Sequence, residues 1–378
     1  MRLSLILVVL GFCFLPATGQ YQSSFRDFRF LEIRGHTGNH LYTGEELKDV
    51  LANGYGSVEV RYGWQSANPD GWQSMYLYPA YGLGWYSGFV GNPEQLGKPG
   101  AVYGFISFPL FNHHRHQMMI EPAFGLSYDL KPYDEETNAH NDAIGSRFNV
   151  YFNFNIGARY RLNREIDLTY GLDFTHFSNG RSFRPNSGLN MWGPNVGFRY
   201  HFNTKQNKVD NSAFPKVILD SRPMLTHFNP ATPIRKGEML VYAAGGIVQN
   251  DEDKGTNKQH GTFTSFAEYN YRLNMKSGFA AGVNWFYDGS LVSSYDAYSH
   301  HFYGVHAGYD FMFWNFSFRV QVGTYLHNQA FDMKGNFFFR PALKYDINKR
   351  FFAQLGLKTM AGFKADWVEY GLGVRLFN

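Results

Sequence analysis

From Glu165 to Ser178 the chain alternates with a period of two residues. Ile166, Leu168, Tyr170, Leu172 and Phe174 fall on one face, followed there by His176 and Ser178. Glu165, Asp167, Thr169, Gly171, Asp173 and Thr175 fall on the other. This is the signature of a strand with one apolar and one polar face. The closing stretch repeats it, with Val368, Tyr370, Leu372, Val374 and Leu376 set against Glu369, Gly371, Gly373 and Arg375. Such segments predict strands starting near Phe28, Tyr55, Gln73, Gly100, His116, Arg147, Glu165 and Leu189. A second set starts near Glu238, Gly261, Lys276, His301, Asn315, Gly335, Arg350 and Trp367. Tight turns such as Leu162-Asn163-Arg164 and Leu273-Asn274-Met275 separate many of them. Tyr42–Asn53 reads as one short helix. Lys205–Arg235 carries Pro215, Pro223, Pro230 and Pro233 with little alternation, and reads as a connection between two halves.

Composition decides which kind of β-protein this is. Aromatic residues make up 19% of the chain and charged residues only 17%, with 40 glycines, and beyond the N-terminus no apolar run approaches a membrane helix. Aromatics and glycine on alternating strands are the composition of an outer-membrane barrel. The fold class expected is therefore all-β, an antiparallel transmembrane β-barrel of about 16 strands. The alternation fits one closed barrel or two successive eight-stranded barrels. One barrel is favoured, because two would require Lys205–Arg235 to bridge their edges.

Residues 1–19 read as a signal peptide, with Arg2 before the apolar Leu3–Leu15 and small residues at Ala17-Thr18-Gly19. Residues 20–204 then form the first barrel half, 205–236 the Pro-rich connection and 237–378 the second half. Cys13 is the only cysteine, so the mature chain has no disulfide. A formal charge of +4 gives no reason to expect a nucleic acid partner.

His176 and Ser178 are the polar end of an otherwise apolar face. A base beside a hydroxyl is the pair from which an activated nucleophile is made. Two residues apart on a strand they are common in themselves; on a lipid-facing strand they call for a reason. With the N-terminus and the short turns of a bacterial barrel in the periplasm, the seventh strand runs outward, which places the pair at the outer leaflet. The histidines at His113, His114 and His116 sit in a turn whose alternating neighbours do not converge on one ion, so no metal is expected. Asp134-Glu135-Glu136 and Asp251-Glu252-Asp253 read as solvated loop runs.

His176-Phe177-Ser178-Asn179-Gly180, followed by Pro185-Asn186-Ser187-Gly188-Leu189-Asn190, resembles the outer-membrane lipid A 3-O-deacylases, the PagL-type family also described as acyloxyacyl hydrolases. The resemblance is good over Glu165–Phe202, plausible over Arg26–Phe202, and does not extend to Glu238–Asn378. It implies His176 as general base, Ser178 as nucleophile and backbone N–H groups at Asn179 and Gly180 as oxyanion donors. Where the family has an acidic third member, this chain has Asn190, which the alternation puts on the apolar face beside His176 and Ser178. An amide can hold the imidazole but brings no full charge, so weaker catalysis is expected. The implied substrate is lipid A of lipopolysaccharide in the outer membrane, with no cofactor. Arg181 and Arg184 are candidates for its phosphates. A pore or a non-catalytic structural barrel is the alternative, and the pattern sets no oligomeric state.

Overall fold

The computed structural model describes residues 27–41, 44–48, 51, 54–66, 71–113, 115–163, 165–202, 233–291, 300–326, 334–360 and 364–377. The segment expected to be a signal peptide and most of the Pro-rich connection lie outside these residues. So do residues 42–43, 49–50 and 52–53, and with them half of the expected helix; Glu45–Lys48 forms a turn.

Among the described residues there are sixteen strands, and they close as two barrels rather than one. The first contains β1 (Asp27–His40), β2 (Tyr55–Ser66), β3 (Ala80–Phe89), β4 (Gly97–His113), β5 (His116–Leu130), β6 (Asn149–Arg161), β7 (Ile166–Ser178) and β8 (Leu189–His201). Each strand pairs antiparallel with the next, and β8 returns to β1 with Tyr200 opposite Leu31 and Phe198 opposite Ile33. The second contains β9 (Pro233–Val248), β10 (His260–Asn274), β11 (Ser277–Asp288), β12 (His301–Phe313), β13 (Phe316–Tyr325), β14 (Phe337–Asp346), β15 (Phe351–Thr359) and β16 (Ala365–Phe377). It closes through β16 on β9, with Val374 opposite Val241. The expectation of a single barrel is thus corrected. The connection was no obstacle: about 30 residues reach roughly 100 Å when extended, ample to link two neighbouring barrels.

The second barrel begins at Pro233, so the last residues assigned to the connection belong to β9. The strand expected near Gln73 begins at Ala80 instead. Trp72–Tyr76 forms a 3-10 turn, and Leu77 and Tyr78 follow it with left-handed backbone before Pro79.

The two faces of each strand separate as the alternation requires. In the first barrel Ile33, Val58, Leu83, Val102, Ile156, Leu172 and Phe198 point outward and are exposed. An apolar belt of this kind is costly in water, at about 25 cal/mol per Å², and stable in hydrocarbon. The inward residues fill the lumen with ion pairs. Arg34 and Arg199 bind opposite oxygens of Glu32 at 2.6 and 2.7 Å. Arg61 binds Glu59 at 2.7 Å and reaches Glu121 at 3.3 Å. Three buried arginines thus meet three buried glutamates, and His36 joins Asp173 at 2.8 Å. The second lumen is filled likewise, with Arg319 held between Glu268 at 2.6 Å and Asp310 at 2.8 Å. Eight strands leave an interior that side chains can fill, and here they do.

Both barrels start and finish at one end, so odd-numbered strands run away from it and even-numbered strands return. At that end the 3-10 turn packs on the second barrel. The Tyr76 ring lies 5.5 Å from Phe311, its hydroxyl donates to the Met312 carbonyl, and Trp72 lies 6.4 Å from Phe313. At the opposite end the loop after β7 meets β9, β11 and β16. Like ends meet like ends, so the two barrels stand side by side with the same orientation.

Candidate active site

The site lies where β7 ends and the chain turns back into β8. His176 pairs in register with Asn190, and Phe174 with Trp192. Side chains directly opposite on one face of an antiparallel pair are within reach of each other. Here Nδ1 of His176 lies 2.6 Å from Oδ1 of Asn190. With the amide oxygen accepting, Nδ1 carries the proton and Nε2 keeps its lone pair. Among the described residues Nε2 has no hydrogen-bond partner. The imidazole stacks on Phe174, with ring centroids 6.3 Å apart and planes at 10°. From the other side it is bounded by Gly188, which has left-handed backbone (φ +77°); a Cβ added there would come 2.9 Å from Cε1 of the ring. Glycine is needed here both for its backbone and for its missing side chain.

Ser178, the last residue of β7, is buried. Among the described residues its Oγ shares no hydrogen bond with His176. It lies 3.2 Å from Oδ1 and 3.1 Å from Nδ2 of Asn186, and it accepts the Gly180 N–H at 3.2 Å. The Asn179 N–H donates to the same Asn186 oxygen at 3.0 Å. The two N–H groups expected to hold an oxyanion therefore lie beside the hydroxyl. Asn186 was read from the sequence only as part of a turn; the structure adds it as the residue that holds Ser178. Catalytic hydrogen bonds are often long or unformed without substrate and tighten when it binds.

The loop that carries these groups is held closely. Gly180 and Arg181 are both left-handed, with φ of 63° and 69°. The Asn179 side chain donates to Ser146 Oγ at 3.1 Å and accepts from the Phe183 N–H at 3.3 Å. The return segment hangs on the β5–β6 loop, with the Gly188 N–H donating to the Ala143 carbonyl at 3.0 Å.

The two arginines differ in placement. Arg181 is buried, and its guanidinium enters the mouth of the second barrel, 3.4 Å from both Asp288 and Asp366. Arg184 stays at the rim, paired with Asp251 at 3.0 Å. Burial pushes its guanidinium below the usual arginine value, and Asp251 opposes that shift. Asp173 lines the first lumen with His36 and Asn153, on the other face of β7 from His176. The acidic run at Asp251–Asp253 is not simply solvated, since Asp253 also binds His260 at 2.8 Å.

Comparison with known families gives one match for each barrel. Residues 56–199 match the family described as "Lipid A 3-O-deacylase (PagL)", and residues 237–378 match "Acyloxyacyl hydrolase, C-terminal domain". The chain carries a PagL lipid A 3-O-deacylase domain followed by an acyloxyacyl hydrolase C-terminal domain. The first match spans His176 through Asn190. The second reaches the residues to which the sequence resemblance did not extend. No curated protein matches the chain. Among solved structures, Neisserial surface protein A is 10% identical, with 46% of this chain and 97% of that chain covered and a TM-score of 0.30. A mutant Rhodopseudomonas blastica porin is 12% identical over 93% of this chain and all of that one, with a TM-score of 0.19. Acinetobacter baumannii OccAB2 is 9% identical, covering 92% of this chain and 97% of that one, with a TM-score of 0.23. These likenesses carry no argument about activity. Residues 56–199 are thus a domain of the lipid A 3-O-deacylase (PagL) family, an outer-membrane β-barrel family.

Proposed function

We propose that the first barrel is a serine hydrolase that removes an ester-linked acyl chain from lipid A at the outer leaflet. The observation that carries this reading is the 2.6 Å contact of Asn190 with His176 on the lipid-facing side of β7 and β8, beside Ser178. Asn190 fixes the tautomer, so that Nε2 is the base. Rotation of the Ser178 side chain from Asn186 towards Nε2 lets the imidazole take its proton while Oγ attacks the acyl carbonyl. The developing oxyanion takes the place of the Asn186 oxygen as acceptor for the Asn179 N–H, and the Gly180 N–H turns to it from Oγ. One such donor is typically worth about 3 kcal/mol in the transition state. The sugar alkoxide leaves with the proton held on Nε2. Water then attacks the acyl-enzyme with His176 again as base, and Ser178 is released together with the fatty acid. Arg184, at the rim beside this site, is the candidate for a lipid A phosphate.

A pore is disfavoured by the lumens themselves. Glu32, Arg34, Glu59, Arg61 and Arg199 fill the first, and Arg319, Arg340 and Glu369 the second, all fully buried.

The nucleophile is tested by treating the full chain in detergent with a fluorophosphonate and mapping the adduct by peptide mass spectrometry. An adduct on Ser178 that disappears in His176→Ala supports the mechanism. No adduct on the wild-type serine at mildly alkaline pH, or equal labelling without the histidine, contradicts it.

A further inference from the structure

The loop that supplies the oxyanion donors is attached to the second barrel through Gly180, Arg181, Ser182 and Arg184. Gly180 packs on β16 so closely that an added Cβ would collide with Cγ2 of Val368. The Arg181 carbonyl accepts the Gln249 N–H at 2.9 Å. The Gln249 side chain accepts the Arg184 N–H at 2.6 Å and donates to Thr256 and Lys258 carbonyls at 2.9 and 3.2 Å. Gln259 donates to the Ser182 carbonyl at 2.8 Å. At the centre the Arg181 guanidinium sits 3.4 Å from Asp288 and from Asp366, and 3.5 Å from Ser290 Oγ.

The charge count around that guanidinium is informative. Asp288 and Asp366 are already bound by Lys334 at 2.7 and 2.9 Å, and Asp366 also by Lys358 at 2.5 Å. Two carboxylates therefore meet two lysines within the second barrel itself. Arg181 is an additional cation, brought by the first barrel into a mouth that is balanced without it. Its contribution is to hold the loop rather than to neutralise the second barrel.

We infer that the second barrel is the dock that positions the active-site loop, and that Arg181 is a positioning residue for the Asn179 and Gly180 N–H donors. This rests on the hydrolase reading given above. Asn179 and Gly180 immediately precede Arg181. A shift of about 1 Å in such donors is enough to cost roughly a hundredfold in rate. The same architecture accounts for a second barrel with a filled lumen and no His-x-Ser pair at the corresponding place.

The test uses the full chain in detergent, with lipid A deacylation resolved into kcat and KM and hydrogen exchange followed at the 179–184 amides. Arg181→Ala leaves the lysine–aspartate pairs intact, so both barrels fold. It lowers kcat by about a hundredfold with KM little changed, as donor misplacement requires. Arg181→Lys restores part of the rate, because an ammonium still reaches the two carboxylates. Gln249→Ala loosens the same loop from the second barrel's side and lowers kcat in the same way. In both loosened variants the Asn179 and Gly180 amides exchange faster. Unchanged kcat and exchange in Arg181→Ala and Gln249→Ala overturn the inference. A raised KM with kcat preserved also overturns it, since Arg181 would then be touching substrate. A wild-type protein inert on lipid A refutes the hydrolase reading and the catalytic part of the inference, while exchange still decides whether the second barrel holds the loop.

Discussion

Replacing Asn190 tests the feature in which this site departs from the acidic third member of the PagL-type pattern. The amide oxygen lies 2.6 Å from Nδ1 of His176, on a facing strand in direct register. In the resting state this is a hydrogen bond between neutral groups, with a net value of about 1 kcal/mol. When the imidazole takes the serine proton it becomes a cation, and a hydrogen bond to a charged group is worth about 1.5–3 kcal/mol. Only the excess of the second value over the first, about 0.5–2 kcal/mol, bears on the barrier, and about 1.36 kcal/mol corresponds to a tenfold change in rate, so Asn190→Ala lowers kcat/KM by about two- to thirtyfold. Asn190→Asp gives the imidazolium a full counter-charge, and an added 1–1.5 kcal/mol of transition-state stabilisation raises the rate about five- to tenfold. The assay is release of free fatty acid from lipid A micelles, with both variants checked for folding by the heat-dependent shift of the barrels in electrophoresis. Asn190→Ala as active as wild type would refute the reasoning. So would a folded Asn190→Asp that is no faster.

Other outcomes follow from the same geometry. Asn186→Ala removes two resting-state contacts that the reaction must break, the hold on Ser178 Oγ and the cap on the Asn179 N–H, and so leaves kcat unchanged or raises it by up to about tenfold; steady-state kinetics check it, and a fall in kcat would count against the serine rotation. Gly188→Ala forces a side chain onto left-handed backbone and against the imidazole, costing about 1–2 kcal/mol of stability and displacing the base; thermal unfolding and kcat both fall. Glu32→Ala leaves Arg34 and Arg199 without their shared carboxylate in the first lumen, and lowers unfolding stability by about 3–5 kcal/mol, measured by denaturant titration in lipid. Wild-type protein in planar bilayers shows no stepwise conductance, because both lumens are occupied by buried side chains.

The alternation of Glu165–Ser178 was sufficient to assign the strand, its lipid face and the placement of Asn190 beside His176. It was not sufficient to decide closure. Eight and sixteen strands share the same two-residue period, and what differs is which strand returns to β1, a matter of tilt and register. A usable signal was present nonetheless. Glu32-x-Arg34 and Glu59-x-Arg61 put opposite charges on adjacent inward positions, the arrangement of a filled small barrel rather than a wet channel. The strand placed near Gln73 failed because Trp72 and Tyr76 are aromatic for another reason: they pack on Phe313 and Phe311 of the second barrel. Arg181 looked like a loop charge awaiting a phosphate. Its carboxylate partners lie more than a hundred residues away in the chain, and no local pattern could announce them. Asn186 stood in the motif, but a turn asparagine reads as backbone chemistry until the fold brings it to the serine.

The central claim is that Ser178 and His176 remove an acyl chain from lipid A. The most direct measurement is mass spectrometry of lipid A after incubation with the full chain in detergent, with Ser178→Ala and His176→Ala alongside. The account predicts that wild type alone converts lipid A to a species lighter by one hydroxyacyl chain, with the matching free acid released. Unchanged lipid A with wild-type protein, or the same loss from Ser178→Ala, would contradict it.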